Sequence, residues 1–311
     1  MRIEKIDSIE KAFSIFNPIS DLFKHFRYGK NSYVQGHNGW IYRGQRNSSW
    51  GLVPKSFRKG ELNKYVNWYY EEDPLFPKEE QSNRILAEFA AMKNYLEFCD
   101  KNGLEVNLTF GLRRKFNYFI KNINRKIKNS RELDFPINFA EAFALAQHHE
   151  VPTRLLDWTY EPQFALFFAA INYYKDIFLQ GQTTDFDEIS IFALKSDDLF
   201  DHTDIKDELI LLLTSYSSND YLRHQAGLFT VDLKQHQKPD SEIDQIVTIE
   251  KMWKSRSYND HDIPLIRFDF PGKLVKELLK LMYTSGYSKT KLMPIHDNAS
   301  EDAKIFRSLF Y

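Results

Sequence analysis

A chain of 311 residues can hold one large domain or two modest ones, and its 42% hydrophobic and 15% aromatic content excludes a disordered protein. The formal net charge of −1 excludes a global attraction to nucleic acid or membranes, so such contacts require a local patch. The single cysteine, Cys99, excludes an intramolecular disulfide. A charged start and the lack of an 18-residue apolar run predict no signal peptide, no membrane contact and a cytoplasmic protein.

The first half of the chain alternates between helical spacing and short extended segments. The pattern predicts, in order, a short helix beginning at Ser8, a strand at 40–43 ending in a tight turn, an extended segment at 50–54, and helices over 82–100, 112–128 and 138–149. Residues 60–80 are loop-like and partly acidic. We therefore interpret residues 1–311 as a single domain with a helical insertion at about 60–135.

The second half is richer in strand patterns. It predicts strands at 155–159, 189–194, 227–231 and 263–270, a buried helix beginning near Pro162, and a helical stretch at 208–213. It also predicts a helix with Pro271 in its first turn and a stop at Gly286.

The predicted strand at 40–43 ends in Tyr42, Arg43, Gly44 and Gln45. A glycine at this point lets another backbone or a ligand approach closely. An arginine beside it can bind a phosphate or carboxylate with two parallel hydrogen bonds. The same residue could instead make an ordinary ion pair at a strand edge.

The densest polar cluster lies between two apolar helical runs, in residues 147–159. His148 and His149 are adjacent and would point about 100° apart on a helix, so together they do not chelate one metal and no metal site is predicted. One histidine facing a cleft could bind an anion or move a proton. Arg154 and Asp157, beside Trp158, fit either a buried salt bridge or a nucleotide site.

Two further features have competing interpretations. Gln225 precedes the predicted strand at 227–231 and could bind a ribose or a base, or lie in a solvated turn. The predicted helix at 112–128 carries basic residues with interleaved aromatics, which is typical of a solvated face or of a surface for nucleic-acid phosphates. The residues that would contact such an acceptor are Arg113, Arg114, Lys121 and Arg125.

Three segments together resemble the FRG domain family, which is named for its Phe/Tyr-Arg-Gly signature. They are 40–45 with 50–54 and Arg58; 146–149 with 152–159 and 165–169; and 225–229. They occur in the order of the family and extend over about residues 20–300.

The same order also resembles ADP-ribosyltransferases of the arginine–serine–glutamate type. In those enzymes a strand ends in Tyr-Arg-Gly, a second ends in Ser-Thr-Ser before an Ala- and Phe-rich helix, and a catalytic Glu enters a third. Here Asp157, Trp158 and Thr159 replace the second motif, and Gln225 replaces the Glu. The resemblance implies an α+β fold, with a central, mostly antiparallel split sheet flanked by helices.

On this resemblance NAD is the expected substrate. Arg43 would bind its phosphates, Asp157 would supply negative charge, Gln225 would hold the ribose, Trp158 would stack, and a histidine would contact the adenosine or the acceptor. The expected catalytic residues are Arg43, His149, Asp157 and Gln225. The expected NAD-binding residues are Tyr42, Arg43, Gly44, Gln45, His148, Thr153, Arg154, Trp158 and Thr159.

The resemblance implies a toxin or phage-defence effector that modifies a nucleic acid or a protein, with a possible antitoxin partner. Two other functions stay open on the residues alone. One is a nucleotide- or nucleic-acid-binding module without catalysis. The other is an NAD-independent nuclease that uses His148, His149 and Asp157 as acid and base.

Overall fold

The computed structural model describes residues 1–16, 39–65, 80–106, 108–121, 133–182, 187–196, 199, 209–214, 224–255 and 264–311. In this part of the chain, no helix combines the length and the apolar character needed to cross a membrane.

One seven-stranded sheet organises the molecule. Its order is β1-β7-β4-β2-β3-β6-β5, and every neighbouring pair is antiparallel except β1 with β7. The strands are β1 Arg2–Lys5, β2 Trp40–Gln45, β3 Leu156–Thr159, β4 Glu188–Lys195, β5 Leu209–Leu212, β6 Gly227–Asp232 and β7 Leu265–Pro271. The predicted α+β class, with a mostly antiparallel sheet, is confirmed.

The sheet is weakly joined between β2 and β3. The register of these strands consists of Tyr42 opposite Thr159 alone among the described residues, whereas β2 pairs with β4 along its whole length from Trp40 to Gln45. The two strands therefore separate beyond Tyr42, and groups on them are open to a ligand.

Helices cover both faces of the sheet. They are α1 Ile9–Ile15, α2 Glu80–Lys101, α3 Phe110–Lys121, α4 Ala140–His148, α5 Pro162–Tyr174, α6 Gln245–Ser255, α7 Val275–Thr284, α8 Lys289–Leu292 and α9 His296–Phe310. The helices predicted at Ser8, 82–100 and 138–149 are confirmed. Ser8 caps α1, its side-chain oxygen accepting a hydrogen bond from the Lys11 amide at 3.2 Å. The helix predicted at 112–128 is confirmed to Lys121, and the remainder lies outside the described residues.

Two predicted elements are wrong. Residues 50–54 form no strand, because their backbone bonds to loop and side-chain groups: the Leu52 amide donates to Asp244 Oδ1 at 2.9 Å, and the Leu52 carbonyl accepts from the Gln245 amide at 3.1 Å. The helix predicted at 208–213 is instead strand β5, paired with β6. A short apolar run fits the repeat of a helix as well as that of a strand, and here pairing with β6 makes it a strand.

Helix α5 is the element that fixes the position of β2. Pro162 stands in its first turn, where the missing proline N–H costs no hydrogen bond. Most of the following apolar residues are buried against the sheet. The helix approaches so closely that a Cβ on Gly44 would lie 1.9 Å from the Ala165 carbonyl oxygen. Gly44 is therefore a packing requirement for this part of the sheet.

Candidate functional site

A cleft of about 510 Å³ lies where β2 and β3 separate. This volume falls within the range of small-molecule sites. Its polar and charged lining residues come from distant parts of the chain: Arg43, Lys55, Arg58, Gln147, His148, Glu150, Asp157, Thr159, Asn172, Gln225, Lys289 and Asn298.

Arg43 and Asp157 face each other across the opening. Arg43 Nη1 donates to the Asp157 backbone carbonyl at 2.8 Å and approaches Asp157 Oδ2 at 3.5 Å. Arg43 Nε is buried and has no hydrogen-bond partner within the described part of the chain. Burial lowers the pKa of Arg43, an effect that Asp157 opposes. The guanidinium nevertheless stays charged at neutral pH, so this site holds a cation with a donor still to be satisfied.

Two residues orient the Asp157 carboxylate from behind. Gln147 Nε2 donates to Asp157 Oδ1 at 2.6 Å. Thr153 in turn donates its hydroxyl to Gln147 Oε1, which leaves the amide only one orientation. Thr153 is fully buried, so its effect on the site is to position Gln147.

Gln225 lies beside the end of β3. The Gln225 backbone carbonyl accepts the Thr159 hydroxyl at 2.7 Å. The next residue, Ala226, has a φ of 46°, so the chain turns sharply before β6 begins. The Gln225 side chain lines the cleft and meets Met293 Sδ at 3.8 Å. A thioether is a weak acceptor, so a ligand group can displace it at little cost.

His148 is the histidine that lines the cleft. Burial and the neighbouring His149 lower the pKa of His148, while Asp157 and Glu150 oppose that shift. The neutral imidazole is therefore favoured near pH 7, which suits a proton acceptor. His149 is exposed and stacks on Tyr95 with ring centroids 6.4 Å apart. It is not among the residues that line the cleft, so the structure does not bring it together with the other predicted catalytic residues.

Comparison with protein-family models finds a match over less than half of the chain. Residues 38–176 match the FRG domain. The FRG match includes Arg43 and Asp157 but ends before Gln225. No curated protein and no solved structure matches the chain. The resemblance to ADP-ribosyltransferases, in fold and in activity, therefore stays a prediction.

Two predicted ligand-binding residues of the FRG segment belong to the core. Arg154 is 1% exposed and donates from Nε to Glu88 Oε2 at 2.6 Å, so the predicted Arg154–Asp157 pair is wrong. Trp158 is 3% exposed, and its indole nitrogen donates to Thr230 Oγ1 at 2.8 Å. Trp158 nevertheless lines the cleft, so its stacking role stays a prediction.

The remaining predicted residues of the FRG motif on β2 divide between two cavities. Tyr42 and Gly44 line the cleft, although Tyr42 is fully buried. Gln45 does not line it; Gln45 faces a second cavity of about 500 Å³ on the other side of Arg58. Arg58 lines both cavities.

Sequence reasoning assigned no site role to three cations that line the cleft. They are Lys55, Arg58 and Lys289. Lys55 pairs with Glu150, and Lys289 pairs with Glu301. Arg58 belongs to the first segment that resembles the FRG family and Lys55 lies within its span, which was the only signal available, whereas Lys289 comes from a helix that no motif marked.

The basic surface predicted for an acceptor is only partly described. Arg113 on α3 pairs with Asp100 at the end of α2, while Arg114 and Lys121 are exposed. Arg125 lies outside the described residues. None of the three described residues lines the cleft.

Proposed function

We propose that the cleft binds NAD and that the protein transfers ADP-ribose to a cellular acceptor. The observation that carries the proposal is the convergence of Arg43, Asp157 and Gln225 on one cleft. These residues stand on β2, on β3 and just before β6, the strands that would carry the three motifs of an ADP-ribosyltransferase.

The charges of the cleft fit a dinucleotide pyrophosphate. Arg43 contributes a guanidinium whose buried Nε donor is unsatisfied among the described residues. Arg58 contributes further positive charge along the walls, as do Lys55 and Lys289, which are paired with Glu150 and Glu301. Phosphate oxygens are strong acceptors for guanidinium groups, and a site shielded from water strengthens such bonds.

The reaction breaks the bond between the nicotinamide ring nitrogen and ribose C1′. The bonding electron pair leaves with nicotinamide, which departs uncharged. The Asp157 carboxylate stabilises the positive charge that develops on the ribose, and Gln225 holds a ribose hydroxyl. The acceptor nitrogen or oxygen then bonds to C1′, and its proton passes to the neutral imidazole of His148.

The test is incubation of the purified protein with NAD labelled on its adenylate, together with a whole-cell lysate. Label in the protein or the nucleic-acid fraction identifies the acceptor class, and modification of an essential molecule would make the protein a toxin or defence effector. Arg43→Ala should remove the label. Arg267→Ala is the matched control, because Arg267 is also a paired arginine on a strand, with 19% of its side chain exposed, but does not line the cleft.

One observation favours a second function, nucleotide binding without turnover. Asp157 already accepts a hydrogen bond from Gln147 and lies beside Arg43, so part of its charge is neutralised. Gln225 supplies no negative charge in its place. On this alternative the wild-type protein binds NAD but releases no nicotinamide. The variant Gln225→Glu, which restores the carboxylate of the transferase motif, then releases nicotinamide at a measurable rate.

Nucleic-acid cleavage is an outcome of the same experiment. RNA or DNA that is cut in the lysate without added NAD would replace both proposals by a nuclease in which His148 and Asp157 act as acid and base.

A further inference from the structure

We infer that the second cavity, of about 500 Å³, is a nucleobase pocket. It adjoins the cleft through their shared residue Arg58. Its lining combines two aromatic rings, a buried amide, apolar walls and three cations. The residues are Gln45, Ser49, Trp50, Gly51, Val53, Phe57, Arg58, Lys59, Arg84 and Ile243.

Gln45 contributes a buried side-chain amide to the pocket. Gln45 is 6% exposed, and its Nε2 donates to the Gly51 carbonyl at 3.0 Å. Because only the NH₂ group can donate, this bond fixes which side-chain atom is the oxygen. Gln45 Oε1 is buried and accepts no hydrogen bond from the described residues. A buried acceptor without a donor is rare in native proteins, and a ligand N–H would satisfy it.

Trp50 supplies the surface for stacking. It lines the pocket, and 40% of it is exposed. The Arg46 guanidinium covers the indole at 5.0 Å from the ring centroid, and Arg46 itself pairs with Asp176 at 2.8 Å. The ring is therefore held in place while part of it stays open. Every nucleobase has a flat face that stacks on such a ring, and stacking of this kind tolerates different bases.

The charges around the pocket fit the phosphate that accompanies a base. Arg58, Lys59 and Arg84 line it, and Arg58 lies within electrostatic reach of Arg46 and Asp157. The ligand class is therefore a nucleotide whose base edge carries an N–H group. Its source is either the adenosine half of NAD, with the pyrophosphate passing Arg58, or one base of a nucleic-acid acceptor. Both of these sources depend on the proposed function being right. The inference that the pocket binds a nucleobase does not depend on it.

The first experiment measures binding of AMP and of purine riboside monophosphate, which lacks the amino group of AMP, by calorimetry. We expect AMP to bind about 5-fold more tightly, since a neutral hydrogen bond typically contributes that much. Gln45→Met should abolish the difference between the two nucleotides. Trp50→Ala should weaken both about 10-fold through loss of stacking. Phe98→Ala is the matched control, because Phe98 is an exposed aromatic residue of α2 outside the pocket.

The second experiment distinguishes the two sources. If the pocket holds the adenine of NAD, Trp50→Ala raises KM for NAD about 10-fold and leaves hydrolysis of nicotinamide mononucleotide, which has no adenine, unchanged. If it holds a base of the acceptor, NAD kinetics are unchanged and binding of a single-stranded oligonucleotide weakens instead.

The inference is overturned if AMP does not bind at millimolar concentration, or if Trp50→Ala and Gln45→Met, with wild-type thermal stability, bind both nucleotides as the wild type does. If AMP binding depends on Trp50 but the protein never consumes NAD, the proposed nucleobase pocket stands and the proposed transferase activity is wrong.

Discussion

Two arginine–carboxylate pairs, which take Arg154 and Asp157 from one short segment, lie in different environments and mark the two kinds of region in this molecule. Arg154 and Glu88 are 1% and 0% exposed, and their Nε–Oε2 distance is 2.6 Å. The Arg43 and Asp157 side chains are 15% and 60% exposed and approach only to 3.5 Å. The first pair lies inside the core, and the second lies at the opening between two strands.

The surroundings explain the difference. Arg154 also donates to the Leu133 carbonyl at 3.0 Å, and its guanidinium lies over Phe89 and Phe135. Arg43 donates to a backbone carbonyl at 2.8 Å and opens onto the cleft, which Arg154 does not line. Each arginine has one buried nitrogen without a hydrogen-bond partner among the described residues, Nε in Arg43 and Nη2 in Arg154, so the difference lies in access to the cleft. A buried ion pair that is bonded on several sides is costly to break, whereas an open one can exchange its partner for a ligand. The core pair is thus structural, and the open pair is suited to binding.

The largest expected effect is on the core pair. Glu88→Ala leaves the Arg154 charge buried without its carboxylate and should lower the free energy of unfolding by about 3–5 kcal/mol, measured by urea denaturation. Burial raises the pKa of Glu88 although Arg154 opposes the shift, so this environment disfavours a lone charge.

The double variant Glu88→Leu with Arg154→Met is the control for that prediction. It removes both charges and keeps apolar volume, so it should recover most of the lost stability. A double variant as unstable as Glu88→Ala would contradict the view that the lone charge is the cause.

The next effect concerns the packing that supports the open pair. In Gly44→Ala the new Cβ would lie 1.9 Å from the Ala165 carbonyl, so either β2 or α5 must shift. We expect a loss of about 1–3 kcal/mol by thermal or urea unfolding. Gly111→Ala is the control, since a Cβ there meets no atom within 4 Å. Equal stability of the two variants would mean that α5 does not constrain β2 as described.

A smaller effect is expected when the open pair itself is broken. Asp157→Asn keeps the shape of the side chain and removes an exposed, loosely paired charge. The free energy of unfolding should change by less than about 1 kcal/mol in urea denaturation. A loss as large as that of Glu88→Ala would remove the distinction between the two pairs.

The smallest expected effect is the pH dependence of stability that His148 causes. Because the pKa of His148 is lowered in the folded protein, the folded state binds fewer protons than the unfolded state. The resulting stability is fully present above the ordinary pKa of 6.5 and is lost as the pH falls below it. NMR titration should show one histidine, identified by its loss in His148→Gln, with a pKa below 6.5. A pKa above that value would show that Asp157 and Glu150 outweigh burial.

The sequence predicted the elements that carry strong periodicity. The strand at β2, the helices at α2 and α4, and the segment from β3 through α5 were recognisable because their apolar residues follow one period. Strand β5 was mistaken for a helix because four residues cannot distinguish the periods. The helices α6, α8 and α9 were not predicted at all.

The candidate site was predicted in part for a similar reason. Arg43, His148, Asp157 and Gln225 stand in motifs, and the sheet brings them to one cleft. Arg154 and Trp158 stand in the same motif but are buried and bonded to Glu88 and Thr230, which come from distant parts of the chain. Of the two, Trp158 also lines the cleft and Arg154 does not. No local pattern reveals such partners, so a motif identifies the neighbourhood of a site and not which of its side chains face the ligand.

The most direct test of the account is the rate of nicotinamide release from NAD by the wild type and by Asp157→Asn, with thermal unfolding of both proteins measured alongside. The account predicts release by the wild type, a loss of at least about 100-fold in Asp157→Asn, and closely similar unfolding temperatures. No release by the wild type, or equal release by both proteins, would contradict the claim that the open pair is the working centre of the molecule.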